Sequence, residues 1–251
     1  RIRKLLQGSA NLEFWETYNS EEITPLLAQL DRKVAAGGTA AADSTKNDTL
    51  QQKKAAKAAD KATEAKAQPK FKIKNDANMA KQTERNATAT AALEAAKKQN
   101  PLLAVLQTAP KGSNALVGYA NLRDTAYINR IIYSEAARQI LPGDLKLLWG
   151  AKAADGTKNV FELYALKMTG INGRAPLEGD VITDAKDDFQ PVTGRPCVSM
   201  QMNTDGARRW AEMTKANVGK AIAIVLDNVV YSAPRVNDQI SGGNSEITGT
   251  F

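Results

Sequence analysis

The sequence predicts an α+β fold: a mixed, largely antiparallel sheet with helices packed on one side, and an inserted Ala/Lys-rich helical or flexible segment. Three observations carry this expectation. Val198, Met200 and Met202 alternate with polar residues and lead directly into an amphipathic stretch, so a period-two pattern gives way to a period of 3.6. Asp155-Gly156 and Asp227-Asn228 each separate two apolar runs, the turn chemistry of antiparallel hairpins. Between Thr39 and Asn100 the composition changes, with 13 Lys and Arg against 7 Asp and Glu, and from Thr39 to Pro69 the only large aliphatic residue is Leu50. Such a stretch buries too little apolar area to offset its ordering entropy, although Ala and Lys favour helix locally. The chain therefore divides into a start (1–38), a basic insertion (39–100) and a main body (101–251).

Ile2, Leu5 and Leu6 share one face of a helix that Gly8 can end. Leu12 and Phe14 enter a strand over Ala10–Tyr18. Asn19-Ser20-Glu21-Glu22 is a helix-start signal with acids in the first turn. Ile23, Leu26, Leu27, Leu30 and Val34 then form an apolar stripe, so Glu21 to about Ala36 reads as helix ended by Gly37-Gly38. The insertion predicts two solvated helices, near Thr49–Ala67 and Asp76–Gln99, or one long loop. Lys53, Lys54, Lys57 and Lys61 form a solvated helix face or a contact for anionic lipid or acidic chains. No aromatic residues interleave with them for base stacking, which argues against nucleic acid.

Leu102, Leu103, Val105 and Leu106 fit a helical turn or two, and Lys111 to Asn114 a loop. Asp124 can cap a helix running to Leu141, with Ile128, Ile131, Ile132, Ala136 and Ile140 inward and Pro142-Gly143 as its end. Leu145, Leu147 and Trp149 alternate as a strand, and Val160 to Leu166 returns beside it. Thr169 to Pro176 is a loop, and Asp180 to Asp184 a short strand or turn.

Local signals agree most closely from Arg195 to Phe251. Asn203-Thr204-Asp205 offers short polar side chains to the free N–H groups of a helix start. Ala207, Trp210, Ala211 and Thr214 share one face of that helix, and Gly219 supplies its left-handed stop. Ala221 to Leu226 is an unbroken apolar run of six residues, too short to cross a membrane and suited to a strand covered on both faces. Asp227-Asn228 tolerates positive φ, and Val229-Val230-Tyr231 is the hairpin partner. Pro234 cannot continue a central strand. Gly242-Gly243 is a loop, and Ile247, Gly249 and Phe251 alternate in a last strand.

The chain carries a net charge of +7, of which the insertion holds six. The high pI belongs to that segment and does not mark a nucleic-acid groove across the molecule. There is no histidine, and Cys197 is the only cysteine, which rules out an intrachain disulfide and any Cys/His metal site. Asp180, Asp184, Asp187 and Asp188 cluster without the order of a calcium loop. The glycine pairs lack the spacing of a nucleotide motif, and no serine has a histidine base. The expectation is no catalysis, no metal and no cofactor. The chain opens at Arg1 in mid-helix with no long apolar run, and reads as a soluble piece of a larger protein.

Several ordered motifs carry a family resemblance: Pro196-x-Val198-Ser199, Gly206-Ala207, Thr214-x-x-Asn217-x-Gly219-Lys220, Ala223-Ile224-Val225-Leu226-Asp227, Val230-Tyr231-Ser232-Ala233-Pro234, Ile240-x-Gly242-Gly243 and Ile247-Thr248-Gly249. Ala10-x-Leu12-Glu13-Phe14 and Leu177-x-Gly179-Asp180-x-Ile182-x-Asp184-Ala185 fit as well. Together they resemble the membrane-proximal end of the first periplasmic domain of SecD and SecDF proteins. The departure is Asn228, where that family usually has Gly; Asn is the next best residue for a left-handed turn.

The resemblance implies a module that binds emerging preprotein and assists proton-motive-force-driven export through the Sec channel. It would move as a rigid head against a base and have no active site of its own. The implied partners are unfolded preprotein segments, the SecYEG channel and other Sec subunits. Membrane contact would come only through flanking helices outside this chain, with the chain on the periplasmic side of an inner-membrane protein. Candidate preprotein contacts are Leu5, Leu6, Met200, Met202 and Trp210, because a surface that accepts varied chains should be apolar and adaptable; a core role for the methionines is the competing reading. Structural turn or hinge positions are Gly219, Asp227, Asn228, Gly242 and Gly243. The alternative is a non-catalytic scaffold module that docks on other translocon subunits, with the insertion as the contact.

Overall fold

A computed structural model describes residues 11–37, 91–154, 156–190, 194 and 196–248. The expected helix around Leu5 and Leu6, the one near Thr49–Ala67 and the lysine run lie outside the described residues, as do Gly249 and Phe251. Strand β1 (Leu12–Thr17) leads into helix α1 (Ser20–Gly37), and helix α2 covers residues 91–99. Strands β2 (Leu106–Thr108) and β3 (Leu116–Asn121) precede helices α3 (Thr125–Ile132) and α4 (Glu135–Arg138). The hairpin of β4 (Leu145–Ala153) and β5 (Val160–Lys167) follows. Then come β6 (Leu177–Glu178), β7 (Ile182–Phe189) and β8 (Pro196–Met202). Helix α5 (Thr204–Ala216), β9 (Ile222–Leu226), β10 (Val229–Ser232) and β11 (Asn244–Thr248) complete the order.

The strands form two sheets where the sequence led us to expect one. The larger runs β2-β3-β5-β4-β10-β9-β1-β6, and the smaller β11-β8-β7. Every registered strand pair is antiparallel except β4 with β10. β1 pairs along its length with β9, from Leu12↔Leu226 to Glu16↔Ile222, and its end also pairs with β5 at Thr17↔Leu166. The strands β5, β4, β10, β9 and β1 thus close into a ring. Each contributes to its filling: Trp15, Leu148, Leu166, Ala223, Val225 and Val230 form one buried cluster.

The unbroken apolar run of β9 has a direct cause in this arrangement. Ala223 and Val225 face the ring interior, while Ile222, Ile224 and Leu226 face outward against Phe14, Met200, Met202 and Trp210. A third cluster lies under the helices, where Ile23, Leu27 and Leu30 of α1 meet Ile128 and Ile131 of α3 over Leu147 and Leu163.

Three local expectations change. Leu106 begins a strand rather than extending a helical turn, and it pairs with Ala120 of β3. The latter strand lacks a clean alternating signal because Gly118 sits in its middle. A Cβ there would lie 2.7 Å from the Gln107 carbonyl oxygen, so close backbone approach selects glycine. The helix expected from Asp124 to Leu141 is interrupted at Tyr133. Ser134 turns extended, and its hydroxyl accepts from the Ala137 N–H to start α4. Finally, the acidic stretch after Asp180 becomes an eight-residue strand, β7, most of whose residues are exposed.

Gly206 shows how closely α5 sits on the chain before β7. A Cβ at this position would come within 2.6 Å of the Val181 Cβ. Gly206→Ala is therefore expected to destabilise the fold by about 1–3 kcal/mol, the range for overpacking, although alanine is the better helix former. Thermal or urea denaturation checks it, and a variant as stable as the parent would contradict the packing described.

Candidate functional site

Apolar side chains surround open space between α5, the start of β9 and β11. Asn203 starts α5 by accepting from the Gly206 N–H at 2.8 Å. Its apolar face then carries Trp210 onto β1, edge to face with Phe14 at 5.2 Å between centroids. One turn later Thr214, fully buried, donates to the Trp210 carbonyl at 2.7 Å and accepts from the Ile240 N–H at 3.0 Å. That second bond ties the strap after β10 to the helix. Farther back along the strap, Gly219 N–H donates to the Val236 carbonyl, Val236 N–H to that of Lys220, and Ile222 N–H to that of Pro234. The strap is therefore held beside β9 and leaves a groove.

The groove measures about 330 Å³. Trp210, Ile222, Ile224, Pro234, Ile240 and Ile247 give it an apolar lining, with Arg235, Asp238 and Glu246 at its open side. Trp210 is only 5% exposed, and its indole N–H is a buried donor with no acceptor among the described residues. Buried donors are normally paired, so this one stands out.

The residues singled out in the sequence fall into distinct places. Trp210 lines the groove. Met200 and Met202 are buried, 2% and 6% exposed, in the core between β8 and β9; as strand residues whose neighbours Ser199 and Gln201 turn away, they pack rather than present a surface. Leu5 and Leu6 lie outside the described residues. Gly219, Asp227, Asn228, Gly242 and Gly243 all have positive φ. Two successive left-handed residues at Asp227 and Asn228 give the tight turn that fits the twist of a hairpin, and their side chains are also used. Asp227 accepts from the Asn11 N–H at 3.0 Å, and Asn228 from the Lys146 ammonium at 2.9 Å. Sequence reasoning missed Ile222, Ile224, Pro234, Ile240 and Ile247 as groove residues. It read them singly as strand or loop; the nearest signal was Pro234 standing just after a strand.

The remaining polar groups near the ring serve structure. Tyr164 donates to Glu162 at 2.6 Å and Tyr18 to Asp144 at 2.6 Å. Burial first, then the adjacent carboxylate, pushes both phenols well above their ordinary pKa, so both remain neutral donors. Burial likewise raises the Cys197 thiol. Asp184, Asp187 and Asp188 are spread along β7, and among the described residues no three His, Cys, Asp or Glu come together to hold a metal ion. No helix among them is long and apolar enough to cross a membrane.

Residues 161–251 match the family model described as SecDF, P1 head subdomain. Those residues include the whole groove. The protein translocase subunit SecD of Rhodothermus marinus is 46% identical over 151 residues, covering 60% of this chain and 24% of that protein. SecD of Acidaminococcus fermentans is 42% identical over 85 residues, 34% of this chain and 20% of its own length. The chain thus spans about a quarter or less of the curated relatives it matches. Among solved structures, SecDF in a super-membrane-facing form is 41% identical over 31% of this chain and 10% of that one, with a TM-score of 0.29.

Proposed function

From a chain that carries the head subdomain of the SecD/SecDF family of protein translocase subunits, we propose that it holds extended segments of preprotein on the periplasmic side of the inner membrane and so assists proton-motive-force-driven export through the SecYEG channel. The observation that carries this reading is the groove at Trp210. It is apolar, open along one side and only about 330 Å³ in volume, at the lower end of the roughly 300–1,000 Å³ usual for small-ligand sites. It suits one or two side chains of a longer molecule better than a cofactor. Apolar contact is tolerant of sequence, which a surface serving many exported chains requires. Leu5 and Leu6 are proposed as additional contacts.

The test is binding of the 251-residue chain to a reduced, unfolded, fluorescently labelled polypeptide, followed by anisotropy. We expect a Kd in the micromolar range, roughly −8 kcal/mol. Ile240→Glu, at the half-buried rim, is expected to weaken binding at least tenfold without unfolding the chain, and Leu5→Asp with Leu6→Asp to weaken it further. Absence of binding by the parent chain would overturn the reading. The head would then be a non-catalytic scaffold docking on other translocon subunits.

A further inference from the structure

The backbone of β11 adds something that the groove alone does not. Met202 N–H donates to the Gly243 carbonyl at 2.8 Å, and the partners then run from Asn244↔Gln201 to Thr248↔Cys197. In an antiparallel ladder the bonded pairs alternate, so Ser245 and Ile247 direct their backbone groups to β8. Asn244 and Glu246 direct theirs to the opposite side, where β11 has no neighbouring strand among the described residues. Among the described residues the Glu246 N–H and C=O have no partner. This free edge borders the groove, since Ser245, Glu246 and Ile247 all line it.

Other sheet edges are protected. β2 and β6 are only three and two residues long. β7, at the far edge of the smaller sheet, carries Asp184, Lys186, Asp187 and Asp188, and charges on an edge deter strand addition. β11 has a single charged residue, Glu246. Among the described residues, acidic groups also outnumber basic ones at the mouth of the groove, Asp238 and Glu246 against Arg235.

We propose that an extended polypeptide joins the head as an added strand on the free edge of β11, seats an apolar side chain against Trp210 in the adjoining groove, and is favoured when basic residues flank that side chain. This rests on the polypeptide-holding reading and gives its contact mode. Main-chain hydrogen bonds are the same for every sequence, and the pocket asks only for an apolar side chain. The combination yields binding with weak sequence preference.

The test uses the 251-residue chain and a labelled nine-residue peptide, with a central Leu flanked by Lys, alongside the same peptide N-methylated at alternate residues. Methylation removes strand donors and leaves the side chains unchanged. Glu246→Pro removes only an outward-facing N–H and is compatible with an edge strand. Asp187→Pro does the same on β7 and is the control. We expect at least a tenfold loss of affinity from methylation and from Glu246→Pro, and no change from Asp187→Pro. Asp238→Lys with Glu246→Lys is expected to shift the preference from Lys-flanked to Glu-flanked peptides. Equal binding of methylated and plain peptides would overturn strand addition while leaving the polypeptide-holding reading intact. That outcome is read on the unaltered chain, so it is independent of how the proline variants fold. If the unaltered chain binds neither peptide nor any unfolded polypeptide, both fall together.

Discussion

Replacing Trp15 with alanine is expected to destabilise the chain by about 3–5 kcal/mol, the range for removing a buried tryptophan. Trp15 is 1% exposed and fills the ring that β5, β4, β10, β9 and β1 close. The loss has three parts. Apolar area contributed against Ala223, Val225 and Leu166 disappears and leaves a cavity in a close-packed interior. The Lys146 ammonium, 4.6 Å from the ring centroid, loses its aromatic partner. Glu13, which accepts from the indole N–H at 2.8 Å, loses one donor but keeps the Asn11 amide at 2.7 Å. Trp15→Phe retains most of the area and is expected to be distinctly milder. Urea denaturation followed by circular dichroism measures both. Against a typical domain stability of about 5–15 kcal/mol, the alanine variant should unfold at a much lower denaturant concentration. A shift worth less than about 1 kcal/mol would show that the ring does not depend on its tryptophan.

The second large effect is expected at Asp31. It is 1% exposed, and its Oδ1 accepts from the N–H groups of both Leu102 and Leu103, at 2.7 and 3.1 Å. These residues stand just after Pro101, where the body begins beyond the basic stretch, and Leu102 and Leu106 pack beneath α1 with Leu27 and Leu30. One carboxylate therefore pins the returning chain to the helix that precedes the insertion. Asp31→Ala leaves two donors at this buried junction without their acceptor, at about 1–3 kcal/mol each. We expect a loss of about 2–5 kcal/mol in denaturation, and faster protease cleavage between residues 91 and 108. Asp31→Asn keeps an acceptor oxygen and is expected to lose less. Equal stability of the alanine variant and the parent would mean that the contact is dispensable.

These two residues mark the limit of what could be read along the chain. Asp31 falls on the buried stripe of α1, four residues after Leu27. A helical pattern registers it as a polar interruption but says nothing of partners 71 and 72 residues away. Trp15 falls within the stretch Ala10–Tyr18 that reads as a strand. That it fills a closed ring depends on β1 pairing at once with β9 and β5, which no local pattern contains.

The sequence by itself determined the elements whose causes are local. The Asp227-Asn228 turn, the Asn203 cap and the Gly219 stop each follow from the conformational freedom or hydrogen-bonding reach of a single residue. The six-residue apolar run Ala221–Leu226, which contains β9, implies burial on both faces, and the ordered motifs from Pro196 to Gly249 resemble the SecD/SecDF head. Only the tertiary structure decided the split into two sheets, the strand at β3, the interior role of Met200 and Met202, and the groove beside Trp210. Those features arise from pairings between distant segments. A side chain on an apolar face is recognisably meant for burial, but whether it meets a packed neighbour, as Met200 does, or an open groove, as Ile240 does, is set by which other segment the fold brings opposite it.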